Sequence, residues 1–130
     1  MPRRSSPHPT EAELEILRVL WDLAPCTVRQ VHEALQGQRK TGMTTTLKML
    51  QVMEEKGFVV RTDDRPTQFS PALPKEQTRA GLLEDLAQKA FGGSMRKLLV
   101  HAVQDVDLSD EELAELRKLI DKAKRDKGTR

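Results

Sequence analysis

The chain is predicted to be mainly α with a small β-hairpin, a compact N-terminal unit leading into a helical C-terminal region, and three observations carry that prediction. In TTTLKMLQVMEEKG, at about 100° per residue, Thr46, Met49, Leu50, Met53 and Gly57 fall in one arc and Thr44, Lys48, Gln51 and Glu55 in the opposite one. Directly after it, FVVRTDDRPTQFSPAL has the composition of two short strands around a turn. Beyond residue 74, three short segments repeat leucines at helical spacing.

The elements follow in order. MPRRSSPH is basic, with Arg3 and Arg4, and proline-rich, and is expected to be a disordered arm over residues 1–8. Thr10 and Glu13 form a capping box that opens a helix from Glu11 to Leu23, with Leu14, Leu17, Leu20, Trp21 and Ala24 on one face and Ile16, Val19 and Leu23 widening the stripe. Pro25 ends it, and Pro25-Cys26 is expected to form a stub strand pairing with the later hairpin. Thr27 and Gln30 make a second box for a helix through Leu35, with Val28, Val31 and Leu35 inward and Gly37 as its stop. Residues 37–43 are the turn into the central helix, where Gly42 relaxes the backbone, Thr44 is expected to cap, and Gly57 terminates. Strands are expected over Phe58–Thr62 and Gln68–Leu73, and Pro71 and Pro74 assign the second a short or edge role.

The order α-α-α-β-β, with a helix followed by an arginine-bearing hairpin, is that of a winged helix-turn-helix over residues 9–73. Residues 74–126 change character. A helix from Lys75 carries Leu82, Leu83, Leu86, Ala87, Ala90 and Phe91 as far as Gly92-Gly93. A second carries Met95, Leu98, Leu99, Ala102 and Val103, and a third, boxed by Ser109 and Glu112, carries Leu113, Leu116, Leu119 and Ile120 before fraying over residues 127–130. These helices hold too few residues to enclose a core. Leu83, Leu86, Phe91, Leu98, Leu99, Leu113, Leu116, Leu119 and Ile120 are therefore expected to dimerise the chain.

Composition narrows the function. The chain has 130 residues, 37% of them apolar and 32% charged, which favours helical surface or subunit interface over one large core. A net charge of +2 leaves polyanion affinity to local placement of basic groups. Cys26 alone supplies neither a disulfide nor a metal pair, and no apolar run approaches the roughly 18 residues of a membrane span. A cytoplasmic, nucleoid-associated protein without membrane insertion or cofactor is expected. No catalytic triad order, phosphate-cradling glycine loop or metal set appears, so an enzyme has no sequence support. His101 and Asp105, at i and i+4, lack a third ligand and are expected to be polar groups at the surface or in an interface, not a metal pair.

What the central helix offers is acid-free. From Gln36 to Val52 the chain carries Arg39, Lys40 and Lys48 and no Asp or Glu. Thr45 and Lys48 suit base edges, a threonine methyl meeting thymine and an ammonium meeting guanine acceptors, with Gln51 on the same face. Thr44 suits phosphate, as do Arg39, Lys40, Arg61 and Arg65, with Arg65 at the wing tip reaching toward the minor groove. Leu47, on the flank, is placed either to touch thymine methyls or to pack, and packing is the expectation by a small margin.

TEAELEILRVLWDLAPCTVRQVHEAL, TTTLKMLQVMEEKGFVVR and LAQKAFGGSMRKLLVHAVQDVDLSDEELAELRKLI resemble the BlaI/MecI/CopY penicillinase-repressor family from about Pro9 to Asp121. Trp21-Asp22, Lys56-Gly57 and Phe91-Gly92-Gly93 are the marks in combination. The resemblance implies a homodimeric winged-helix repressor on a palindromic operator of double-stranded DNA, often with TACA/TGTA half-sites. It also implies release by proteolysis in the dimerisation region, commanded by a membrane metalloprotease sensor or its downstream protease. Two departures stand out. Val52 replaces a common arginine, and His101-Ala102 occupies the cleavage position where cleaved members carry Asn-Phe. The KAKRDKGTR ending has none of the cysteines of the copper-responsive branch, so thiolate sensing of metal is not expected. Two rival functions share the fold: a protein-binding adaptor, which would show no salt-dependent DNA affinity, and a ligand sensor, which needs an enclosed apolar pocket.

Overall fold

In the computed structural model, residues 8–37 and 42–128 are described. They form α1 (Glu11–Leu23), β1 (Cys26–Thr27), α2 (Val28–Leu35), α3 (Met43–Lys56), β2 (Val59–Arg61), β3 (Gln68–Pro71), α4 (Lys75–Ala90), α5 (Met95–Asp105) and α6 (Asp110–Gly128). This is the expected mainly α architecture with a small antiparallel sheet. Two compact units divide between Asp85 and Leu86, inside α4, where the sequence reading set the change of character at residue 74. Residues 1–7 of the expected arm lie outside the described set. His8 does not belong to an arm: its half-buried ring abuts the backbone at Gly81 and stands 4.0 Å from an Asp85 oxygen.

In the first unit, both capping boxes form. Thr10 Oγ1 accepts from the Glu13 N–H at 3.2 Å while the Thr10 N–H donates to Glu13 Oε1 at 2.9 Å. Thr27 and Gln30 repeat the exchange at 3.1 and 2.8 Å. Each cap contributes about 1 kcal/mol by satisfying donors that a helix start leaves open. The core unites Ile16, Leu17 and Leu20 of α1, Cys26 of β1, Val31 and Leu35 of α2, Leu50 and Met53 of α3, Val59 of β2 and Phe69 of β3. Burial pushes the Cys26 thiol up, away from the thiolate form. The α1 stripe is narrower than expected at its end, because Leu23 and Ala24 are exposed in the last turn before Pro25.

The sheet order is β1-β3-β2, so of the two roles expected for the second hairpin strand, short or edge, it takes the first: four residues long, it lies at the centre. Cys26 pairs with Phe69 and Thr27 with Gln68 on one side, and Val59, Val60 and Arg61 pair with Pro71, Ser70 and Phe69 on the other. Proline is tolerated in this central strand because Pro71 is its last residue and β1 does not extend to it. The hydrogen bonds from Thr62 N–H to Gln68 O and from Ala72 N–H to Phe58 O put the intervening Val59–Pro71 pair in a non-hydrogen-bonded position.

In the second unit, α4 stops where the N–H groups of Phe91 and Gly93 both donate to Ala87 O at 2.9 Å. Ser94 caps α5 by accepting from the Lys97 N–H. Ser109 and Glu112 box α6, and the Ser109 backbone N–H, then its hydroxyl, hold the Glu112 carboxyl below the usual carboxylate range. α6 is helical to Gly128, and residues 129 and 130 of the expected frayed ending lie outside the described residues. Asp110, Glu111 and Glu112 in its first turn and Arg125 and Lys127 in its last complement the helix dipole at both ends. Very little of this unit is covered: α5 buries Leu98, α6 buries no residue, and within this unit α4 buries Ala87.

Candidate nucleic-acid interface

Three fixings determine which face of α3 turns outward. Thr46, Leu50 and Met53 are fully buried on its inner arc. Thr46 satisfies its hydroxyl by donating to Gly42 O and sharing a 3.4 Å contact with His32 Nδ1, which joins α3 to α2 through a polar link in the interior. At the far end, Lys56 Nζ donates to both carboxylate oxygens of Glu13, at 3.2 and 2.9 Å, with the side chains only 16% and 7% exposed. Gly57 then closes α3 in the left-handed region at φ 84°, where any side chain would be strained.

That carboxylate has two tasks, capping α1 and neutralising Lys56, and sequence inspection assigns it only the first. Lys56→Met leaves the Glu13 charge in a nearly closed site with one backbone donor. The expected cost is about 2–4 kcal/mol in urea unfolding, toward the lower end of broken buried pairs. An unchanged stability would show the pair to be idle.

With its inner arc fixed, α3 presents Thr44, Thr45, Lys48 and Gln51 to solvent. Its first turn holds no acid and its start has no side-chain cap. Thr44 is therefore not the capping residue: the helix begins two positions earlier than a Thr44 cap would set it, with Gly42 at the cap and Met43 as its first residue. The hydroxyl of Thr44 is left pointing from the second helical position instead of folding back on the backbone. Leu47 packs only in part, being 38% exposed beside these polar neighbours. Val52 is half-buried and with Met49 lines a cleft bordered by Thr10, Glu13, Thr44, Thr45 and Lys48.

The wing supplies the second cluster. Arg65 is exposed in the turn joining β2 and β3, beside the exposed acids Asp63 and Asp64. Thr62 Oγ1 organises that turn by accepting from the N–H groups of Asp64 and Gln68 at 3.3 Å. Arg61 is held: its Nε lies 3.2 Å from Glu54 Oε2, a half-exposed pair that couples the wing to α3. Such a pair contributes only about 0–1 kcal/mol, so a phosphate can draw the guanidinium away. Arg39 and Lys40 lie outside the described residues. The Glu13–Lys56 and Glu54–Arg61 pairings are what the sequence does not show, because no local spacing connects the partners.

The residues expected to dimerise divide by exposure. Leu83, Leu86, Leu99, Leu113, Leu116, Leu119 and Ile120 are exposed, the last two by 61% and 57%. Phe91 is half-buried against His101, ring centroids 5.7 Å apart, and Leu98 is buried within its own unit. His101 is exposed and Ala102 half-buried, and His101 Nδ1 meets Asp105 Oδ2 at 2.8 Å. Among the described residues no cluster of three or more His, Cys, Asp or Glu could hold a metal ion, and no helix is long and apolar enough to cross a membrane.

Comparison with known proteins places these features in a family. Residues 9–122 match the penicillinase repressor family model. The transcriptional regulator BlaI of Mycobacterium tuberculosis is 38% identical over 99 residues, 74% of this chain and 72% of that regulator. The methicillin resistance regulatory protein MecI of Mammaliicoccus sciuri is 24% identical over 114 residues, 87% of this chain and 93% of that protein. A MarR family protein from Bacillus stearothermophilus aligns with 92% of this chain and 76% of its own, at 19% identity and a TM-score of 0.48.

Proposed function

Because the chain belongs to the penicillinase repressor family of transcriptional regulators, we propose that it is a sequence-specific DNA-binding repressor acting as a homodimer on a palindromic operator. The observation that carries this is the outward face of α3, where Thr44, Thr45, Lys48 and Gln51 are exposed with no acid in the first turn while Thr46, Leu50 and Met53 anchor the back. Thr45 and Lys48 address base edges, Thr44 donates to phosphate, and Gln51 extends the same surface. Arg61 exchanges Glu54 for phosphate, Arg65 probes from the wing, and Arg39 and Lys40 add charge ahead of α3.

The exposed leucines of α4 to α6 find their cover in a second copy, which sets two α3 helices in successive major grooves about 34–36 Å apart. Derepression follows cleavage near His101-Ala102 by a membrane metalloprotease sensor or a protease downstream of it. That bond lies within α5, so the helix must open locally before a protease can engage it.

Lys48→Ala is expected to weaken operator binding by about tenfold or more, the lower range for loss of a base contact, and to relax base preference. Arg65→Ala is expected to weaken binding to all duplexes alike and to lower the salt slope by about 0.9 for each phosphate released. Gel shifts over a salt series separate the two. A Lys48→Ala protein that bound its operator normally would remove the base-reading assignment.

A further inference from the structure

A part-exposed leucine stands at the flank of the polar face that α3 turns outward. Leu47 is 38% exposed, and its neighbours one turn away are Thr44 and Gln51, with Lys48 adjacent. The core takes its α3 residues from the adjoining arc, Leu50 lying one turn on from Leu47 and, like Met53, fully buried, so Leu47 stands where the buried arc meets the outward face. Helix propensity does not call for leucine here, since Lys, Gln, Glu and Arg propagate a helix about as well and carry no exposed apolar surface. What covers Leu47 must therefore tolerate Lys48 beside it, and must bring its own apolar group into a surface whose charge attracts polyanions.

One group in the major groove fits. Of the four bases in that groove only thymine presents an apolar substituent, the 5-methyl. We propose that Leu47 is a specificity-determining residue that packs on a thymine methyl in each half-site, between the contacts of Thr44 and Lys48. This rests on the operator-binding function stated above and adds to it a prediction about the operator: each half-site contains a thymine whose methyl, not its hydrogen-bonding edge, is read. Lys48 is assigned to polar acceptors, so the two neighbouring side chains discriminate by different chemistry. A leucine contact distinguishes thymine from cytosine and from uracil, which a hydrogen-bonding residue in its place would not do in the same way.

The test uses the full chain and an operator selected from a random duplex library. Each thymine is replaced in turn, symmetrically in both half-sites, by deoxyuridine, which removes the methyl and leaves base pairing intact. At one position the unmodified protein is expected to lose about fourfold per half-site, about sixteenfold in all, the effect of withdrawing one buried methyl from each of two contacts. Leu47→Ala is expected to bind the thymine operator more weakly and to show equal affinity for thymine and deoxyuridine there, while Lys48→Ala keeps the methyl sensitivity. Indifference of the unmodified protein at every thymine, or a Leu47→Ala protein as methyl-sensitive as the unmodified one, overturns the proposal while leaving operator binding intact. If selection yields no preferred duplex at all, it is the operator-binding function that fails, and the thymine contact with it.

Discussion

Leu116→Asp is expected to convert the protein to a monomer in sedimentation and to lower its operator affinity by about 10²–10⁴-fold, the avidity that two joined half-site contacts supply. The magnitude follows from where the residue sits. Leu116 is exposed on α6, a helix of 19 residues that buries none of them within its own chain, so its apolar face has value only against a partner. Placing a carboxylate there puts an unpaired charge into that contact, a change that costs several kcal/mol in an otherwise apolar interface. The first unit keeps its own core, so the variant should retain a folded winged unit and weak, salt-sensitive binding to single half-sites. A Leu116→Asp protein that still sedimented as a dimer would contradict the role given to α6.

Phe69→Ala is expected to remove about 3–5 kcal/mol from the stability of the first unit, a loss large enough to threaten a domain of ordinary stability. Phe69 is 2% exposed and lies on the central strand, paired with Cys26 on one side and Arg61 on the other. Its ring joins the α1 and α3 residues of the core to the sheet, and alanine leaves a cavity that backbone pairing on both flanks prevents from collapsing. Urea unfolding measures the loss, and a change below about 1 kcal/mol would mean that the sheet does not depend on this ring. DNA affinity should fall only in proportion to the folded fraction, since no exposed group of α3 changes.

What was legible in the chain was local. The Thr10–Glu13 and Thr27–Gln30 boxes announce α1 and α2 within four residues, and the glycine after Lys56 marks the end of α3, so these bounds emerge from short-range chemistry alone. The outward face of α3 was legible for the same reason, because helical spacing alone separates Lys48 and Gln51 from Leu50 and Met53. Contacts between distant segments were not. Lys56 finds Glu13 across 43 residues, and neither residue type announces the other. The stub strand at Cys26 is legible, but which hairpin strand it joins is not, because the place of Pro71 relative to the end of β1 is a property of the sheet. Residue type alone suggests Thr44 as a cap, and a start two residues earlier takes it out of that role. Leu47 was assigned to packing because leucine usually packs, whereas nothing in its own chain covers it fully.

Thr27 belongs to two structures at once: its backbone pairs with Gln68 in the sheet while its side chain caps α2. Change in chain length is therefore permitted very unevenly along this unit. Extra residues at Asp63 to Pro66 only lengthen a solvent-facing loop, so related proteins can diverge in how far their wings reach. A single residue inserted between Thr27 and Val28 would uncouple the cap from the strand, and evolutionary drift in that joint should be the rarest of any connection in the unit.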